Sequence, residues 1–529
     1  MDHEAGGGQM SGTGRHRHED RRFVLGAVAA CLLLYVPALV TPLLPDEAGY
    51  WLVARNWDPQ PDNIFGFYWT DRPPVLLWMY QAADLLGGPF IPRVWTALLG
   101  CLTVIAAFRA TLIIGGPAAA RWSTVAAVAL LGNPAWFAWA AKGESLGVPL
   151  VMVSCWLALE ALQRPPGSAR LALALGAGMV GMLALGMKQN LASGLVFGAV
   201  LLGVSVLRRQ LPPREAARLA GAALTGALVP LVFVLVWAEL NGVDFSTLWE
   251  MIYGFRSDAF EVITRGHTSA PLERAFHLIV LFVGSGLALL IVLFLASFRR
   301  ALTVRPAVAA AVLSMVVVDV AGIVLGGSYW MPYLIALIPA AVLSTAVVLT
   351  GSALGPPLRA TVGFAVVSSV VLLAFFGYTH VSGRSDAPLA TYRGEAVGDV
   401  AHPDDTILVL YGAPEAVRAS GLDSPYPYLW SLPIRTLDPE LAQMLATMRG
   451  PDAPVWVVQR GTLDPWGLDD TQLRELLHRR YDDVGKVCQN RIWRLKGERR
   501  PELPSVDCNL PYLRIGPVRL TTQPAGRDG

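Results

Sequence analysis

From residue 23 onward the chain is a succession of apolar runs, each about as long as a helix needs to cross a bilayer, beginning with "FVLGAVAACLLLYVPALVTPLL". A chain so patterned folds as a helical bundle in lipid, because only structures that satisfy their own backbone hydrogen bonds can span hydrocarbon. With 54% hydrophobic and 16% charged residues over 529 positions, the sequence is too apolar for a soluble enzyme. A window of about 20 residues gives spans near 23–43, 90–114, 121–140, 146–163, 169–187, 190–207, 217–239, 276–298, 306–326, 331–350 and 360–379, about eleven in all. The expected fold class is therefore a polytopic α-helical membrane protein.

The connections alternate in charge. One set carries Arg15, Arg17, Arg21 and Arg22, then Arg121, Arg164 and Arg170, the cluster Arg208, Arg209, Arg214 and Arg218, then Arg299, Arg300 and Arg305, and finally Arg359. By the positive-inside rule this set is cytoplasmic. The other set carries Asp46, Glu47, Asp58, Asp62, Asp71, Glu144, Asp244, Glu250, Asp258 and Glu261, and belongs outside. An odd number of spans then places residues 1–22 in the cytoplasm and everything after about residue 380 outside. The net charge of +2 and the lack of a basic block beyond "RHRHEDRR" argue against a nucleic-acid partner. A cleaved signal peptide is not expected either, since no small-residue cleavage site precedes the acidic pair at 46–47.

After the membrane region 23–380 and a linker at 381–398, the pattern changes. The stretches "DDTILVLYG", "PELAQMLATM", "APVWVVQR", "DDTQLRELLHRRY" and "NRIWRLKG" alternate β-branched and amphipathic character, which predicts a small α/β domain over 399–514 and a disordered tail over 515–529. Of the five cysteines, Cys31, Cys101 and Cys155 lie in apolar runs and suit buried packing. Cys488 and Cys508 stand in the polar C-terminal region, where an oxidising exterior favours a disulfide. No phosphate-binding glycine loop or GxSxG elbow occurs in this domain.

The unusual residues cluster in the outer segments. The first outer loop, 44–89, opens with "PDEAGYWLVARNW", so two carboxylates, Asp46 and Glu47, stand at the hydrocarbon edge, where a charge is costly unless used. A helix start accounts for one of them, since acids in a first turn complement the dipole. The same loop continues with "FYWTDRPPVLLWMY", in which Asp71 precedes an arginine fixed by two prolines; Arg72 on such a stiff segment suits a bidentate phosphate contact. Trp51, Trp57, Trp69 and Trp78 are expected at headgroup depth. "AAKGES" sets Lys142 and Glu144 at another outer turn, and "GMKQN" leaves Lys188 near membrane level between two apolar runs. Asp319, in "MVVVDVAGIV", lies inside a span, a position intramembrane acids take when they face an interior cavity.

These motifs, in the order "PDEAGYWLVARNW", "FYWTDRPPVLLWMY", "KGESLGVPLVMVSCWLALEAL", "LALGMKQNLASGLVFGAVLL" and "GGSYWMPYLIALIPAAVL", resemble the polyprenyl-phosphate-dependent glycosyltransferases of the GT-C superfamily over most of residues 23–350. The similarity is greatest to the family-39-like branch, which holds protein O-mannosyltransferases and the aminoarabinose transferases that modify lipid A. The resemblance implies a catalytic acid at Asp46, a donor-phosphate contact at Arg72, an acidic outer-loop position at Glu144 and a lysine after the fifth span at Lys188. The basic residue is Arg where the family's usual "Phe-Glu-Lys-Pro" stretch has Lys, and "KQN" stands where many relatives have Lys-Gly.

The resulting expectation is a hexosyl- or pentosyltransferase moving sugar from a polyprenyl-phosphate donor to an acceptor hydroxyl on a glycan, lipid or protein. Asp46 and Glu47 are the catalytic candidates, Arg72 and Lys188 hold donor phosphate, and Glu144 and Asp71 orient the acceptor or a metal. No cofactor is required, and a divalent cation is left open because carboxylates bind hard cations, although no His/Cys ligand spacing occurs. The competing expectation is a transporter or flippase of lipid-linked envelope precursors, which should carry an internal repeat; none is evident.

Overall fold

The structure, a computed structural model, describes residues 9–265, 269–350, 352–460 and 468–511, together with the short strands Arg514–Ile515 and Val518–Arg519. Among the described residues, nine helices are long and apolar enough to cross a membrane, from His18–Val40 to Gly355–Val381. Nine rather than the eleven expected are counted because two of the expected spans share one continuous segment and a third run is short. The spans near 90–114 and 121–140 are two helices that meet at a kink within Ile91–Leu131, at Gly116, whose φ of 75° is left-handed and is followed by Pro117. The run near 190–207 forms a 15-residue helix, Ser193–Leu207, too short for the spanning criterion. The span expected at 276–298 is also divided, into Ala270–Gly284 and Leu287–Val304. Met331–Leu349 is the innermost span, 89% buried.

Two Arg-rich connections meet their acids at one end of the bundle: Arg121 donates to Asp20 at 2.9 Å and Arg170 pairs with Glu215 at 3.3 Å. Arg93 stands near the start of the Ile91–Leu131 helix, roughly 35 Å from Gly116 at 1.5 Å rise per residue. The charges of the 44–89 segment lie at the Arg93 end. There the first loop folds as two helices, Pro45–Arg55 and Pro74–Leu86, each with proline in its first turn. The loop after the Pro213–Leu240 helix adds Phe245–Trp249, a π-helical turn Glu250–Gly254, and Phe255–Arg265.

Above these loops sits an α/β unit with a four-stranded sheet of β1 Ile407–Leu410, β2 Trp456–Gln459, β3 Tyr481–Val487 and β4 Asn490–Leu495, in the order β1-β2-β4-β3. β1 and β2 run parallel, while β4 is antiparallel to both β2 and β3. Cys488 and Gln489 join β3 to β4 with φ of 45° and 69°, the sign that a two-residue hairpin turn requires. Cys488 is disulfide-bonded to Cys508, and Cys31, Cys101 and Cys155 are buried as free thiols. The segment 381–398, expected as a linker, instead contains a helix, Leu389–Gly398, with Ala390, Tyr392 and Val397 buried. Its apolar side is covered by the α/β unit, so it belongs to that unit's core. The expected tail begins inside the Arg514–Ile515 and Val518–Arg519 ribbon, and beyond Arg519 it lies outside the described residues.

The unit is fastened to the first loop at several points. The Trp69 amide donates to the Pro427 carbonyl at 3.1 Å, and the Tyr68 hydroxyl accepts from the Ser424 amide at 2.9 Å. Trp430 packs on Tyr50 with ring centroids 5.6 Å apart, because Gly49 offers no side chain; a Cβ there would fall 2.1 Å from the indole. Trp69 is buried against Phe255, and the Arg418 guanidinium lies 5.5 Å from the Trp51 ring. These two tryptophans therefore serve the contact with the α/β unit rather than the headgroup position expected for them. Trp57 and Trp78 form an aromatic cluster with Trp237, at 5.3 and 5.5 Å.

Candidate active site

The Pro45–Arg55 helix sets two adjacent carboxylates in opposite circumstances. Glu47 is fully buried, with Oε1 accepting from Arg93 Nε at 2.8 Å and the Ala141 amide at 2.9 Å. Its Oε2 accepts from Arg93 Nη2 at 2.6 Å and the Leu44 amide at 2.9 Å. A carboxylate has about four acceptor positions, and all are taken. Burial acts to raise the Glu47 carboxyl, but Arg93 and the two amides outweigh it and hold it below its ordinary value. Arg93 is tied further to the carbonyls of Thr41 at 2.9 Å and Pro42 at 2.7 Å. Glu47 thus knits the end of the first span to the loop, and its oxygens are fully engaged in doing so.

Asp46 is open by comparison. Its side chain is 32% exposed and its one ion-pair partner among the described residues is Lys142, at 3.3 Å. Gly49 and Tyr50 follow at i+3 and i+4 and share its helical face. The Tyr50 hydroxyl accepts from Arg72 Nε at 2.8 Å, and Asp71 Oδ1 accepts from Arg72 Nη1 at 2.8 Å. Among the described residues Nη2 of Arg72 meets no protein acceptor. Arg72 immediately precedes Pro73 and the start of the Pro74–Leu86 helix, whose positive dipole end reinforces its charge.

Asp71 is held from a second side by Arg256, at the start of the Phe255–Arg265 helix, and Gln189 Nε2 donates to the carbonyls of Asp71 and Ile252, each at 3.2 Å. Burial works against the Asp71 carboxylate, but Arg256 and Arg72 bring it below the usual range, so it stays ionised. Lys188 is buried against Glu144 in an ion pair and lies 4.1 Å from the Tyr333 ring centroid. Asp46 and Glu144 both lie within electrostatic reach of Arg72, and Lys188 within reach of Asp71. The structure thus brings Asp46, Asp71, Arg72, Glu144 and Lys188 together and assigns Glu47 elsewhere. Asp319 is buried within its span beside Ser193, outside the charged group.

Leaving aside the closed Glu47–Arg93 pair, three carboxylates, Asp46, Asp71 and Glu144, face four cations, Arg72, Lys142, Lys188 and Arg256. One positive charge is in excess, which suits an anionic ligand. A divalent cation fits poorly, since every one of these carboxylates is matched to a cationic side chain, and among the described residues no three His, Cys, Asp or Glu side chains converge as a ligand set. A cavity of about 310 Å³ on the α/β unit, lined by Arg474, His478, Lys486, Arg491 and Trp493 among others, shares no residue with this group.

The overall fold recurs in solved structures. ArnT from Cupriavidus metallidurans, in crystal structures bound to undecaprenyl phosphate and in the apo state, matches with TM-scores of 0.56 and 0.57 at 15% identity. The matches cover 89% of this chain and 97% and 98% of theirs. The chain has the GT-C membrane glycosyltransferase fold. The apo oligosaccharyltransferase of Archaeoglobus fulgidus is more distant, with a TM-score of 0.49 and 13% identity over 83% of this chain and 69% of its own. No described protein family matches the sequence, and no curated protein matches it.

Within the GT-C fold, several residues of the charged group escaped the sequence reading. Arg256 and Arg93 each look like an ordinary end-of-helix charge, and nothing in their neighbourhoods names Asp71 or Glu47 as partner. Tyr50 carries a weak signal, its i+4 spacing from Asp46; Tyr333 lies in "YWMPY", where nothing marks it apart from the surrounding pattern.

Proposed function

We propose that this protein transfers a sugar from a polyprenyl-phosphate donor to an acceptor hydroxyl at the extracytoplasmic face of the membrane, with the N-terminus cytoplasmic and the α/β unit outside. The observation that carries the reading is Arg72: its Nε and Nη1 are fixed by Tyr50 and Asp71, and Nη2 is left to meet an incoming oxyanion. An Arg held on two sides loses little freedom on gripping phosphate.

In the reaction the acceptor oxygen attacks the anomeric carbon and the bond from that carbon to the phosphate oxygen breaks. The lipid phosphate leaves with the electron pair. Asp46 takes the acceptor proton, being the carboxylate of the group that is open to solvent and bound by a single lysine. Arg72 offsets the charge growing on the departing phosphate, and the buried Lys188 adds its field from behind Tyr333. Asp71 and Glu144 act through these cations: Asp71 orients Arg72, and Glu144 holds Lys188.

The test is a panel of polyprenyl-phosphate hexoses and pentoses incubated with the purified full-length protein and a cell-envelope glycan, lipid and peptide acceptor. Release of free polyprenyl phosphate coupled to acceptor labelling is the expected result. Movement of intact donor from one leaflet to the other in proteoliposomes, without transfer, would instead establish the translocation reading.

A further inference from the structure

The α/β unit presents buried polar groups of its own to the face that bears Asp46. The short helix Pro414–Ser420 packs against Pro45–Arg55, and Glu415 in its first turn is only 8% exposed. Its Oε2 has no hydrogen-bond partner. Asp46, Arg393 and Arg460 are the charged groups that act on it. Arg393 comes from the Leu389–Gly398 helix, which lies so close that a Cβ on Gly394 would fall 2.2 Å from the Ala416 carbonyl oxygen. That arginine is also 8% exposed; its Nη2 donates to the Cys488 carbonyl at 3.0 Å, while its Nε is buried without a partner. Beside them Trp430 covers Gly49 and Tyr50, the residues that share the Asp46 face, and its indole N–H is likewise buried and unbonded.

Buried groups in folded proteins are almost always hydrogen-bonded, so an acceptor and two donors left over in one neighbourhood mark a place where a polar ligand completes the structure. The ligand must accept and donate at once and must tolerate an aromatic ring beside it. A sugar ring does both, since each hydroxyl donates one bond and accepts others, and its C–H faces lie against indole.

We propose that Glu415, Arg393 and Trp430 form a carbohydrate subsite through which the α/β unit holds an acceptor sugar with its hydroxyl toward Asp46. This rests on the transferase reading and narrows its acceptor to a glycan in place of a protein or simple lipid. Glu415 is a positioning residue: it binds the acceptor and takes no proton in the transfer.

Binding is measured without turnover, by saturation-transfer NMR on the full-length protein in a detergent free of sugar headgroups. Neutral manno-, gluco- and arabino-oligosaccharides are the probes, and a Ser/Thr-containing peptide is the comparison. Wild type is expected to bind at least one oligosaccharide, Glu415→Gln to weaken that binding 10-fold or more, and Glu415→Asp to recover part of it. Equal oligosaccharide binding by folded wild type and Glu415→Gln overturns the proposal, as does absence of binding at millimolar sugar or Glu415-dependent binding of the peptide alone. If every donor fails in the transfer panel while Glu415-dependent sugar binding persists, it is the transferase reading that falls.

Discussion

Arg93 grips Glu47 side-on, with Nε on one carboxylate oxygen at 2.8 Å and Nη2 on the other at 2.6 Å, while Asp46 one residue earlier faces solvent beside Lys142. The two neighbours should therefore fail differently when neutralised. Glu47→Gln leaves Arg93 as an uncompensated buried charge and is expected to cost about 3–5 kcal/mol, read as a lowered melting temperature and poor recovery from membranes. Asp46→Asn should leave melting unchanged and reduce transfer about 100-fold or more, the scale of a lost general base. An Asp46→Asn enzyme keeping over a tenth of wild-type turnover would remove Asp46 from that role.

Arg72 allows a sharper test because two of its nitrogens have separate protein partners and the third has none among the described residues. Arg72→Ala, with acceptor saturating, should raise the donor concentration needed for half-maximal rate by roughly 10- to 100-fold, the equivalent of a charge-assisted contact of about 1.5–3 kcal/mol. Arg72→Lys should recover part of this, keeping charge but losing the planar fork. Tyr50→Phe removes only the hydroxyl that receives Nε, and a loss of a few-fold confined to donor dependence is expected. Unchanged donor titrations in Arg72→Ala would detach the residue from phosphate.

Glu415 gives the unit a pH dependence of definite sign. Burial, the largest influence, together with the nearby Asp46 pushes its carboxyl up to about 7, against the partial relief of Arg460 and Arg393. Between its unfolded value near 4.5 and 7 the folded protein holds more protons than the unfolded one, so stability falls as pH rises through that window and levels off above it. The full change is about 3 kcal/mol at 1.36 kcal/mol per unit. Melting followed from pH 5 to pH 8 should show wild type losing stability relative to Glu415→Gln. Parallel curves for the two proteins would contradict the burial-driven shift.

Much of this was legible in the sequence, and what was missed has a common physical origin. Apolar runs report membrane spans directly, so nearly every helix was anticipated. The departures came where a run is a few residues short, as in Ser193–Leu207, or is divided at a glycine, as at Gly286 between Ala270–Gly284 and Leu287–Val304. At the site, charges set next to apolar runs stand out because they are costly there; hence the sequence singles out Asp46, Asp71, Arg72, Glu144 and Lys188, which the structure gathers in one place. Adjacent carboxylates look alike in a string, however, and only the position of Arg93, 46 residues away, separates Glu47 from Asp46. Glu415 was invisible for the same reason, since its setting is created by docking of the α/β unit on a loop more than 300 residues earlier.

The disulfide offers the last prediction, because it links that docked unit to the acceptor subsite. Cys488 and Cys508 are 20 residues apart, and a loop of that size is stabilised by about 3 kcal/mol when closed. The Cys488 carbonyl, in the left-handed turn between β3 and β4, also receives Arg393 Nη2 at 3.0 Å. Opening the disulfide with Cys488→Ser and Cys508→Ser should therefore do two things. The α/β unit should become the first part of the protein to be cut in limited proteolysis, while the spans remain intact. Acceptor dependence should weaken more than donor dependence, since Arg72 is held by Tyr50 and Asp71 in the first loop and does not rely on the disulfide. Equal weakening of both, or proteolysis that begins within the spans, would mean that the disulfide supports the whole molecule and not the subsite.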